Sequence, residues 1–138
     1  MGVSVSVAAV QQRLSLESAE YVSEINGLIS AWVPVLNYAI EPVYVADTGN
    51  SGLQSTLNLA ALELVTADML AVLIRVPGLF DGMNVGALQV TAKDLHDDVR
   101  AMREQGWARL SPFLRADPEF ARTAAVLMAK DKQGAVAP

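Results

Sequence analysis

Apolar positions along this chain change their period repeatedly, and each change marks an element. Val3, Val5 and Val7 alternate with Ser4 and Ser6, the two-residue period of a short strand or an extended arm. A competing reading makes Ser6 an N-cap and runs a short helix from Val7 to Leu14, burying Val10 and Leu14 four apart. The helix is preferred, with only the first few residues extended. Ser15 then reads as a second N-cap, with Glu17 and Glu20 near the positive helix end. Val22, Ile25, Ile29, Trp32 and Leu36 recur three and four apart, one face of a helix that should end near Ile40. Pro34 lies inside it. A proline has no N–H and crowds the carbonyl of Ser30, so a kink or restart is expected there.

Between Glu41 and Gly52 helix signals are few. Val43 and Val45 suggest a short extended stretch before the turn residues Asp47, Gly49, Asn50 and Gly52. From about Leu53 to Ile74 one long helix is expected, because Leu57, Ala60, Ala61, Leu64, Leu70, Leu73 and Ile74 leave little polar face. Such a helix needs cover on every side. Three or four short helices provide limited cover, which points to oligomerisation; the alternative is that they wrap it fully within one chain. Pro77 and Gly78 should end it.

Gly78, Gly82 and Gly86, with Asp81 and Asn84, punctuate a loop of a length that usually carries function. Ala87 to Val90 is a candidate strand with Leu88 and Val90 on one side. Thr91 and Asp94 form an acidic variant of the capping box. The helix they open carries Leu95, Val99, Met102, Leu110 and Phe113 on its apolar face. Gly106 interrupts that face and weakens the helix by roughly 1 kcal/mol unless a backbone packs closely against it. Asp117-Pro118-Glu119 is a restart signal, and a last helix to about Lys132 would bury Phe120, Ala124 and Leu127. Gly134 to Pro138 reads as a tail. The fold class expected is mainly α: a small bundle of about four to five helices, with a long loop or short β-hairpin before the last long helix.

At 138 residues the chain is long enough to bury a core without staples, and an apolar fraction of 52% excludes general disorder. The absence of Cys removes disulfides, thiolate metal sites and cysteine nucleophiles together. The opening MGVSVSVAAVQQR lacks the basic start and long apolar run of a secretion signal, so none is expected. Glu63 and Asp68 argue against a bilayer span for the apolar helix, since each acid would cost roughly 2.5–3.5 kcal/mol at the bilayer centre. No membrane association is expected. A net charge of −5 argues against nucleic-acid binding by the overall field. Arg100, Arg103 and Arg109 follow the acidic start Asp94, Asp97 and Asp98, an order that already complements the helix dipole.

Catalytic chemistry is not visible. His96, the one histidine, sits beside Asp97 and Asp98, but adjacent helix residues do not converge on a metal. There is no phosphate-binding Gly loop with Lys-Ser/Thr and no credible Ser-His-acid set. Glu63 and Asp68, five apart on a helix, read as core-edge or subunit-contact residues. Neither an enzyme nor a cofactor is expected.

The most distinctive stretch is MNVGALQVTAKDLHDDVRAMREQGWARLSPFLR, residues 83–115. A Gly-broken loop, a short Val-rich segment (VGALQV) and an amphipathic helix end on Leu-Ser-Pro-Phe-Leu-Arg. Upstream lie a short Val10/Leu14 helix, a longer helix and the apolar AALELVTADMLAVLIR helix. This order resembles the head–tail connector (adaptor) proteins of tailed bacteriophages, of the gene-6-like and gene-15-like type, over about residues 4–115. The chain departs from the pattern at Pro34 and in the extra helix after Asp117. The resemblance implies residues 1–116 as a connector-like helical domain and 117–138 as a C-terminal helix and tail used for docking. It implies a virion protein of the neck, made in the host cytoplasm, that forms a homo-oligomeric, dodecameric ring beneath the portal protein. Such a ring extends the DNA channel, lets DNA pass without specific binding, and offers a platform for the stopper or tail-terminator protein. Candidate subunit or partner contacts are Val85, Leu88, Val90, Trp107, Phe113, Phe120 and Leu127. Competing roles are a tail-completion or other minor virion protein, or a non-viral helical bundle that binds a ligand or partner helix.

Overall fold

The computed structural model describes residues 2–76, 84–85, 88–89 and 92–115. Among them the chain is mainly helical, with five α-helices arranged as a small bundle around one of their number. Residues 2–6 run extended, and helix α1 (Val7–Arg13) starts where the Ser6 hydroxyl accepts the Ala9 N–H at 3.1 Å. Both parts of the preferred reading hold.

Ser15 is the first correction. Instead of opening the next helix, it closes α1. Its N–H reaches the Gln12 carbonyl, the Leu16 N–H reaches the Gln11 carbonyl, and its φ is +56°. This paired reversal at a left-handed residue is the Schellman arrangement, usually built on Gly. The following turn is held by the buried Gln11 amide, which donates to the Ser18 and Glu20 carbonyls, and by the Glu20 carboxylate, which accepts the Glu17 N–H. Helix α2 (Val22–Ala39) therefore starts later than expected, after a second left-handed residue, Tyr21.

Helix α2 runs through Pro34 without restarting and ends at Ile40, as its periodicity predicts. Pro34 and Ser30, whose carbonyl loses its helical partner to the proline, are both exposed residues. The expected extended stretch at Val43 and Val45 is instead helix α3 (Pro42–Ala46). Pro42 occupies its first turn, where its missing N–H costs nothing and its fixed φ suits the helix. Asn50 then caps helix α4 (Ser51–Ile74), accepting the Leu53 N–H at 3.2 Å.

Helix α4 is the axis of the fold. Eleven of its 24 residues are buried, from Leu57 to Leu73, and they face three ways. Leu57, Ala60, Ala61 and Leu64 meet Val3, Leu36, Ile40, Trp107 and Leu110. Val65, Met69 and Leu73 meet Val10 and Ile25. Ala67 and Leu70 meet Leu95 and Val99. By length and composition α4 could cross a membrane, but here 61% of its apolar window is covered by the rest of the chain. The chain's own helices thus supply much of the cover that α4 needs.

After α4 come strands β1 (Asn84–Val85) and β2 (Leu88–Gln89), paired antiparallel in the register Asn84 with Gln89 and Val85 with Leu88. Helix α5 (Ala92–Leu110) returns along α4, the most extensive contact between elements among the described residues. Gly106 explains how closely they approach. A Cβ placed there would lie 2.9 Å from Leu64 Cγ and 3.2 Å from the Ala60 carbonyl oxygen. The apparent weakness in the helix is the condition for its packing. A 3₁₀ turn, Ser111–Phe113, follows directly. The Thr91 half of the capping box and the helix expected after Asp117 lie outside the described residues.

Candidate functional site

Two charged clusters sit between α4 and α5. The Glu63 carboxylate, 2% exposed, accepts from Arg109 Nε, and the Gln105 amide, oriented to satisfy its neighbours, donates to the other Glu63 oxygen and accepts from Arg109. One turn and a half further on, Asp68 takes two bonds from Arg103 (3.2 and 2.8 Å) and one from the Trp32 indole N–H (2.7 Å). Each acid, read from the sequence as a core-edge or subunit-contact residue, is paired with a guanidinium from α5 at the edge of the core. These are structural pairs with every strong acceptor occupied, and they offer no free base or nucleophile. His96, Asp97 and Asp98 are exposed, and no cluster suited to a metal ion occurs among the described residues.

The Leu-Ser-Pro-Phe-Leu-Arg motif is placed at the C-terminal end of α2. Glu41 donates its N–H to the Phe113 carbonyl and Arg115 its N–H to the Ala39 carbonyl, both at 2.8 Å, around a bridge between Ile40 and Leu114. The Arg115 guanidinium bonds the Tyr38 carbonyl and lies 4.6 Å above the Tyr38 ring. Phe113 packs edge-on against Tyr44 with centroids 5.1 Å apart. Carbonyls at a helix end have no partners within the helix. Here the motif supplies them from a distant part of the chain, which explains the order Pro, aromatic, aliphatic, Arg: turn, anchor, bridge, cap.

The expected contact residues therefore separate. Trp107 is 7% exposed and stacks edge-on against Trp32 at 6.1 Å, so its side chain belongs to the chain's own core. Phe113 is half-buried against Tyr44. Val85 and Leu88 are partners in the two-stranded hairpin, while Val90, Phe120 and Leu127 lie outside the described residues. Sequence reasoning passed over a different surface. Val35, Tyr38 and Val43 are 50%, 59% and 64% exposed and, with Val22, are the large apolar side chains left exposed among the described residues. The signal was present: no charged residue occurs between Glu24 and Glu41, so α2 has no charged outer face over that length. Beside Pro34 a shallow groove of about 460 Å³ runs between α2 and the N-terminal arm, lined by Val3, Val5, Ile29 and Val33 among others. The arm itself is pinned by two asparagines, Asn37 accepting the Val3 N–H and Asn58 the Ser4 N–H, each at 2.9 Å.

No protein-family model, curated protein or solved structure matches this chain.

Proposed function

We propose that this chain is a structural virion protein, a head–tail connector that assembles as a ring beneath the portal, extends the DNA channel and presents a platform for the stopper or tail. The observation that carries the reading is the ordered run from residue 83 to Arg115, which ends in the Leu-Ser-Pro-Phe-Leu-Arg motif. The geometry is consistent with it in two respects. The motif closes a compact helical body, and an uncharged apolar surface remains on α2 and α3. A head-to-tail ring needs two different patches per subunit. The α2–α3 surface is one candidate, and the two-stranded hairpin, by strand addition to a neighbour, is the other.

The test is electron microscopy of the purified protein, alone and mixed with portal-bearing, DNA-filled heads. A ring of density under the portal is expected. Absence of binding under all conditions, with a stable monomer or dimer in solution, would overturn the reading. That second outcome would favour a partner-binding bundle, for which the apolar groove beside Pro34 would be the natural site.

A further inference from the structure

We propose that residues 117–132 dock on the outer face of α2 of their own chain. The first observation is the face itself. Gly27, Ala31, Pro34, Val35 and Tyr38 recur at helical spacing along α2, and all five are exposed. A Cβ at Gly27 would meet nothing within 4 Å, so this side of the helix is open among the described residues. The groove beside Pro34 continues the apolar surface onto the flank.

The second observation is where the described chain stops. Arg115 is anchored over the Tyr38 ring and bonded to the end of α2, so residues after it leave from one end of this face. The sequence that follows, Asp117-Pro118-Glu119 and then Phe120, Ala124, Leu127 and Met128, has a helix-start signal and an apolar stripe three and four apart. As a helix, residues 117–132 would be roughly 24 Å long, and the face from Gly27 to Tyr38 spans roughly 17 Å. The face would be covered by roughly the first 17 Å of that helix, to about Met128, and the last turn would extend beyond it. Glu119 and Arg122 fall outside the stripe, and Asp131, which continues it, would lie past the Gly27 end of the face, so docking would bury none of these charges. A segment tethered at the end of its site is held at high effective concentration, which favours its own chain over a second copy. The inference concerns the free protein and does not depend on ring formation; the α2 part of the surface offered above for ring contacts is covered in that state and becomes available only when the segment leaves it.

The test uses the full chain and trypsin, reading cleavage after Arg122 by mass. Docking shields this bond, so Val35→Asp, Tyr38→Asp and, from the other side, Phe120→Asp should each accelerate its cleavage about tenfold or more, as the undocked population rises. Ala46→Asp, exposed on α3 away from the stripe, should leave the rate unchanged, and circular dichroism checks that each variant remains folded. Equal rates in all four variants and the parent would overturn the proposal. Protection that fades on serial dilution would also overturn it, since it would place the segment on a second copy.

Discussion

Gly106→Ala is the sharpest probe of how the two longest helices meet. In an isolated helix the change is favourable by roughly 1 kcal/mol, because alanine loses less backbone freedom than glycine. In this chain the added methyl would sit 2.9 Å from Leu64 Cγ, 3.1 Å from Leu64 Cδ2 and 3.2 Å from the Ala60 carbonyl oxygen. Leu64 is fully buried and the nearest atom is its branch point, so rotating its end does not relieve the clash. Overpacking of this kind costs about 1–3 kcal/mol. The balance is a net loss of about 1 kcal/mol, or about 4 °C in Tm for a domain of this size. Urea unfolding followed by helical circular dichroism should show a lower midpoint with an unchanged slope. The mechanism makes a second demand. Leu64→Ala alone should cost about 2–5 kcal/mol, but in that background Gly106→Ala should become neutral or favourable, since the obstructing side chain is gone. A Gly106→Ala variant at least as stable as the parent would refute the close approach of α4 and α5. Simple additivity in the double variant would refute the role given to Leu64.

Two further predictions concern polar and backbone details. Arg109→Ala should destabilise by about 3 kcal/mol and Glu63→Gln by clearly less, because removing the partly exposed arginine strands a buried carboxylate whereas the reverse leaves a cation that water can reach; paired urea titrations compare them, and equal losses would count against the asymmetry. Ser15→Gly should stabilise by about 0.5–1 kcal/mol, since Ser15 holds φ at +56° and is exposed, so glycine relieves the left-handed strain without losing a packed side chain; a fall in midpoint would show that the Ser15 side chain has an unseen partner.

Much of this fold follows from the chain's own patterning. The Ser6 cap, the stripe from Ile25 to Leu36, the nearly all-apolar α4 and the return helix with Gly106 in its face are local statements about period and capping. Such statements need no knowledge of what lies opposite. The mainly helical class comes from the same source. Where local signals were ambiguous, the tertiary structure decided. Ser15 carries the side chain of an N-cap, but the Gln11 amide reaching past it to Ser18 and Glu20 makes it the end of α1. Val43 and Val45 have strand propensity, yet Tyr44 must meet Phe113 and Pro42 can start a helix. Which guanidinium neutralises Glu63 or Asp68, and that Trp107 faces inward while Tyr38 faces out, depends on pairings 35 to 77 residues apart in sequence that no local pattern encodes. The physical reason is the same throughout: period and capping are set by a residue's neighbours in the chain, whereas burial and charge pairing are set by the face of the helix it meets.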